Sequence, residues 1–454
     1  VIPILSKYKD ISFKEYKNAV NSLISFVLII SIVFSLVFIF TSKWIVTIIA
    51  PGIQGTAYFR VAVLMSQIMI PSIIFLTTSS IITSVLQINN KFYISSSINI
   101  SNNIITIIFA FVGGLFGNIY WLAIGTLFGA VSQLIIQLPS YRRLGLSFKV
   151  SLDINVKPIR ETLKLVGPAF IGIAAFQINT LVDRYIASGL GEGSIAALTL
   201  ANRLLIIPQG LFVVAIYTVN FPILTKMFNK GDIESFRRVY SEGISLITLL
   251  TIPLSFYLYF FSEPLIQIFF EYNSFDSQAT TYTANALKMF SVGMLGLCLR
   301  EYLVKVYYSM KMTMVPMYTS IFAIILNIIL SLFLSSRMGY EGIALATSIA
   351  MTVATILLLI IFIMRQGDFG VYTWLYKVFI ITICSTISIT SMTYIYKYFD
   401  GKINIFANQI LILLVGCVVY ILFLLLLRNS DMISILNLLR SKVNMKNGSL
   451  VKRS

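Results

Sequence analysis

Apolar residues run through this chain in long blocks with short polar breaks between them. Twelve blocks have membrane-spanning length: 20–41, 61–87, 94–114, 119–139, 163–187, 194–222, 243–262, 279–309, 316–335, 341–364, 374–396 and 407–427. A helix needs about 20 mostly apolar residues to cross a ~30 Å hydrocarbon layer. A backbone immersed in lipid must satisfy its own amides and carbonyls, so blocks of this kind form helices. The pattern predicts an all-α polytopic membrane protein, and an even number of crossings puts both ends of the chain on one side.

The breaks suggest an organisation. The longest, 140–162, is basic and has Pro139 and Pro158 at its edges. Four spans precede it and six follow, and the last two come after Gly367 and Gly370. The expected division is an N-terminal lobe over 1–140, a basic linker loop over 141–160 and a six-span lobe over 161–366. Two additional spans over 367–428 and a basic tail over 429–454 complete it. Within the tail, residues 431–443 (DMISILNLLRSKV) alternate at helical spacing and are expected to lie along the membrane surface. Pro71, Pro168, Pro208 and Pro253 fall inside spans and are expected bend points.

Composition agrees: the chain is 58% hydrophobic and 11% charged, which no soluble globular class matches. The net charge of +17 would suggest nucleic acid in a soluble protein. Here it follows topology. Of the 34 Lys and Arg, 25 fall on one set of alternating loops and ends, among them Lys7, Arg142, Arg143, Lys226, Lys230 and Arg365. The other set holds 5: Lys43, Arg60, Arg337, Lys397 and Lys402. The rule that basic loops stay inside puts both ends in the cytoplasm, in a multi-pass protein of the cell membrane. There is no histidine, and the three cysteines, Cys298, Cys384 and Cys417, sit in apolar runs as packing residues. No nucleotide-binding or catalytic motif occurs. The chain is therefore expected to be no enzyme and to bind neither nucleic acid nor nucleotide.

The residues that do not belong in hydrocarbon cluster in 161–224, a helical hairpin around the turn Gly189-Leu190-Gly191-Glu192-Gly193. They are Gln177, Asn179, Asp183, Arg184, Asn202 and Arg203. At about 1.5 Å per residue, Arg203 lies roughly 13 Å past the turn. An arginine at that depth costs about 2.5–3.5 kcal/mol if it faces lipid. It either pairs with a neighbouring helix or lines a wet cavity and awaits an anion. Lys288 and Arg300 are further cations inside a span; the second reading of Arg300 puts it at an inner surface beside the i,i+4 pair Glu301 and Lys305.

These stretches carry a resemblance. The segments VIPILSKYK, QINTLVDRYIASGLGEGSIAALTLANRLLIIPQGLF, REYLVKVYYSMKMTMVP and LNIILSLFL followed by GYEGIALATSIA resemble conserved motifs of the MurJ (MviN) lipid II flippase family. That family belongs to the multidrug/oligosaccharidyl-lipid/polysaccharide exporter superfamily. The resemblance covers essentially the whole chain, is specific over 161–350 and is weak in the last two spans. It implies fourteen helices, in two six-helix lobes around a central cavity plus two extra helices, of which about twelve spans fall in this chain. The family's first helix and most of its second, with their arginines and aspartate, would then precede Val1.

The implied activity is alternating-access transfer of a peptidoglycan precursor linked to undecaprenyl diphosphate, for cell-wall synthesis. Arg203 matches the family's cavity arginine, and Asn202 stands where some members carry an acid. The expected substrate-binding set is Arg203, Asn202, Arg300, Lys288 and Gln177, facing an anionic polyprenyl-diphosphate lipid among membrane lipids. Residues 16–152 hold no Asp or Glu, which counts against cation export. Guanidinium, by contrast, matches phosphate with paired hydrogen bonds. Two negative charges moving outward gain roughly 4–5 kcal/mol per 100 mV, so no ATP is needed. Asp183 is read either as a local pair with Arg184 or as part of a monovalent cation site, for sodium, with Asn327 and Thr347. No other cofactor is expected. The rival readings are a flippase for another polyprenyl-diphosphate oligosaccharide and a membrane scaffold without transport.

Overall fold

The computed structural model describes residues 1–147, 157–429 and 431–433, with backbone alone for 2, 3, 95, 96 and 164–176. Among these residues every regular element is helical. Ten stretches are long and apolar enough to cross a membrane, judged by length and composition. The two other expected spans coincide with α7 (Lys157–Ser188) and with α12 (Ser277–Val292) and α13 (Met294–Ser309) taken together. The surface segment expected at 431–443 lies, beyond Ile433, outside the described residues. The chain forms two compact units, Val1–Gln177 and Ile178–Ser454, with the boundary inside α7.

The first unit contains α1 (Ile2–Ile11), α2 (Phe13–Ile49), α3 (Ala57–Met69), α4 (Ser72–Ile88), α5 (Phe92–Leu115), α6 (Tyr120–Arg143) and the start of α7. Ser12 caps α2, its hydroxyl accepting from the Glu15 amide at 3.2 Å. The 61–87 block is two helices because Pro71 has no amide hydrogen to continue the ladder. Helices α5 and α6 pack at glycines: a Cβ on Gly125 would collide with Phe109, and one on Gly129 with Asn102. Small residues are what let membrane helices approach this closely. At the basic end, Leu5, Tyr16, Leu23, Leu86, Tyr141 and Ile159 form a core. There Lys7 on α1 meets Glu161 on α7 at 2.9 Å, and this bond raises the lysine's pKa.

The second unit holds the rest of α7, then α8 (Ser194–Pro208), a π turn at Gln209–Val213, α9 (Val214–Lys230), α10 (Ile233–Phe260) and α11 (Ser262–Phe270). After these come α12, α13, α14 (Met314–Met338), α15 (Tyr340–Gln366), α16 (Val371–Phe399) and α17 (Ile405–Leu426). Its core is aromatic: Tyr240 stacks on Phe362 with ring centres 3.9 Å apart, and the fully buried Tyr307 donates to the Leu358 carbonyl at 2.8 Å. The last two helices are held on α10 by polar contacts. Trp374 Nε1 donates to Thr248 (3.0 Å), Tyr257 to Gln409 (2.8 Å) and Tyr420 to the Leu249 carbonyl (2.7 Å).

The 279–309 block, expected as one span, breaks at Gly293. The cause lies on α15. Ser348 is packed so closely on Gly293 that any Cβ there would overlap it, and its hydroxyl donates to the carbonyls of Met289 (2.7 Å) and Phe290 (3.2 Å). A break inside a membrane needs such a substitute partner for the carbonyls it frees.

Candidate functional site

Three helices of the second unit bring Asp183, Asn327 and Thr347 together. Asp183 lies near the C-terminal end of α7, Asn327 on α14 and Thr347 on α15. Ser331, one turn after Asn327, donates to Asp183 Oδ1 at 3.2 Å, and Asn179 Nδ2 lies 3.4 Å from Asp183 Oδ2. Asp183 is engaged with α14 and with Asn179 rather than with its neighbour Arg184, which is exposed. Asn327 is fully buried, so its amide must find partners on both edges.

One orientation of that amide satisfies both edges. With nitrogen toward α7, Asn327 donates to Asn179 Oδ1 (2.9 Å) and Asp183 Oδ1 (3.2 Å), and its oxygen accepts from the Thr347 amide (3.1 Å) and hydroxyl (3.0 Å). Every group is then satisfied without an ion. One carboxylate among neutral oxygens suits a monovalent ion better than a divalent one. The sequence reading missed Ser331 and Asn179 as members of this cluster. The N-x-x-x-S spacing on α14 was the available signal, because residues four apart share a helix face.

Arg203 and Asn202 are exposed on α8, whose Ala201, Leu204 and Leu205 face the core. Among the described residues Arg203 has no ion-pair partner. Gly193 caps α8 in a left-handed conformation (φ 84°), so Arg203 sits at a fixed distance from the turn, nine residues after Ser194, the first helical residue. Gln177 is also exposed, on α7. Arg300 and Lys288 are partly buried and differently engaged: Arg300 Nη2 donates to Ser320 on α14 at 2.6 Å, and Lys288 Nζ lies 3.4 Å from Asn285 on its own helix. The Glu301–Lys305 pair is present at 3.9 Å. Of the five expected substrate contacts, Arg203, Asn202 and Gln177 are thus open at the surface, and Arg300 and Lys288 are tied inward.

A helical membrane unit with an exposed arginine within a span, without an ion-pair partner among the described residues, and a separate buried oxygen cluster has the features of a membrane transporter. The family model for the lipid II flippase MurJ matches residues 1–411. The chain is 30% identical over 361 residues to a probable lipid II flippase MurJ of Buchnera aphidicola, covering 79% of this chain and 71% of that one. It is 26% identical over 365 residues to the lipid II flippase MurJ of Burkholderia cenocepacia, with the same two coverages. A solved lipid II flippase MurJ in an inward closed conformation superposes with a TM-score of 0.78 at 25% identity, over 94% of this chain and 90% of that one. An inward-facing multidrug resistance transporter of the MATE family reaches 0.66 at 12% identity, over 81% and 88%, and shares the fold alone. This chain belongs to the MurJ lipid II flippase family, and like its family it is a multi-pass protein of the bacterial inner membrane rather than an enzyme.

Proposed function

We propose that this chain moves lipid II from the inner to the outer leaflet, with Arg203 receiving the diphosphate of the undecaprenyl-linked head group. One observation carries the reading: a guanidinium about 13 Å into a span that is exposed and has no carboxylate partner among the described residues. Left against acyl chains it would cost about 2.5–3.5 kcal/mol, so its face meets water or an anion. Its planar fork can hold two phosphate oxygens at once, and neighbouring Asn202 adds a neutral donor. The excess of basic residues on one set of loops supports a cytoplasmic position for both ends of the chain. An outward step of a head group with two charges is then favoured by the membrane potential, and alternating access follows without nucleotide.

Sodium is the proposed second ligand, held by Asp183, Asn327, Thr347 and Ser331. When bound it would supply charge neutralisation for the Asp183 carboxylate, which Ser331 and Asn179 hold by hydrogen bonds.

The test is lipid II transfer in vesicles containing the full chain. Arg203→Ala is expected to stop transfer while the protein stays folded in detergent. Undiminished transfer by that variant would remove the site.

A further inference from the structure

The run from Ser194 to Lys230 does not keep one α-helical register, because Gln209–Val213 form a π turn after Pro208. Such a turn accommodates one extra residue, which rotates everything after it by about 100° relative to an unbroken α-helix. Counted from Arg203, an unbroken helix would put Lys226 about 140° around the axis and Leu224 only about 60° away. With the extra residue, Lys226 comes within about 40° of Arg203 and Leu224 moves to about 160°. Thr218, Pro222 and Asn229 also fall within about 40°.

Burial follows the shifted register. Ala201, Leu205 and Leu224 are 0%, 4% and 1% exposed and line the opposite face. Arg203, Thr218, Pro222, Lys226 and Asn229 are all exposed. At the basic end of this face a groove of about 540 Å³ is lined by Phe221, Pro222, Thr225, Lys226, Asn229 and Lys230. The Asp232 carboxyl is held below its ordinary pKa first by its hydrogen bond from Ser235 and to a smaller extent by nearby Lys230. Lys226 has no ion-pair partner among the described residues. Between the two cations the exposed residues Ile207, Leu211 and Val214 offer an anion nothing to hold.

We propose that Lys226 and Asn229 form a second station for the diphosphate, at the inner leaflet, and that the π turn aligns it with Arg203 roughly 34 Å away along the helix. The proposal rests on the reading of Arg203 as a diphosphate contact. A lysine that only marks topology would work from any face of the helix, since the basic-loop rule counts charges and not their direction. A station must lie on the face that carries Arg203.

Undecaprenyl diphosphate binding to the full chain in detergent, at fixed salt, tests this. Lys226→Gln is expected to weaken binding about tenfold without changing thermal unfolding. Adding Asn229→Lys to Lys226→Gln returns an ammonium to the same face and is expected to restore binding. Adding Ile223→Lys instead puts it about 100° around the helix and is expected not to. Parent-like binding by Lys226→Gln, or equal rescue from both positions, would overturn the proposal. Arg203→Ala in the same assay separates the two readings. Loss there beside an unaffected Lys226→Gln removes this station alone, whereas parent-like binding by Arg203→Ala removes the diphosphate reading beneath it.

Discussion

Ser331 donates a hydrogen bond to Asp183 Oδ1 at 3.2 Å, joining α14 to α7 across 148 positions of chain. The contact makes Asp183 part of an interhelical cluster, so changes there can be separated from changes at Arg203. Asp183→Asn keeps the shape and removes the charge on which a cation would depend. The expected outcome is a folded protein whose lipid II transfer no longer responds to replacing potassium by sodium. An unchanged sodium response in vesicles would exclude the cation site.

Arg203→Lys tests geometry rather than charge. An ammonium is a point donor and cannot make the paired contact of a guanidinium. Transfer is expected to fall by about tenfold, near 1.4 kcal/mol, and to remain above that of Arg203→Ala. Equal rates for Arg203→Lys and the parent would mean that charge alone suffices.

Ser348→Ala should destabilise the second unit by about 1–3 kcal/mol, because the Met289 carbonyl loses its hydroxyl partner at the Gly293 break. Denaturation in detergent, with lipid II transfer as a parallel readout, measures this. A change below a few tenths of a kcal/mol would mean that water replaces the hydroxyl.

Lys377 and Asp431 meet at 2.7 Å with side chains only 19% and 15% exposed, fastening the segment after α17 to α16. Removing one partner strands the other; by analogy with buried pairs Asp431→Leu is expected to cost about 3–5 kcal/mol. The double variant Lys377→Met with Asp431→Leu should recover most of that. Additive losses, read from thermal unfolding, would show that the two do not act as a pair.

Asp368 accepts from the backbone amides of Val371 and Gly370, both at 2.9 Å, and these bonds hold its carboxyl below the ordinary 3.8. A lowered folded-state pKa stabilises above the unfolded value and is lost as pH falls through the folded one. The difference in thermal midpoint between the parent and Asp368→Asn should therefore stay constant above about pH 5 and shrink below pH 4. A difference that does not vary with pH would put the cap's effect in shape rather than charge.

Periodicity alone placed the apolar blocks, because hydrocarbon leaves helix as the one solution for a long apolar segment in a chain of this composition. It marked Arg203 and Asp183 for the same reason: an ion in such a block is costly wherever the helix points. The resemblance in 161–350 named the family on residues that can be read one by one. Where the blocks break was only partly legible. Pro71 announces itself, but Gly293 breaks a helix only because Ser348, 55 positions later, presses against it and bonds the freed carbonyls.

Direction was the province of the tertiary structure. Arg203, Lys288 and Arg300 look alike in the sequence as cations within spans, yet Arg203 opens outward while Arg300 is turned onto Ser320. Ser331 gained its place beside Asp183 from the approach of α14 to α7, and Lys226 its line with Arg203 from a π turn. Sequence by itself determined which residues lipid could not tolerate, because the cost of burying charge depends on residue type and depth. Which way those residues face depends on helix rotation and register, and these are set by packing between segments far apart in the chain.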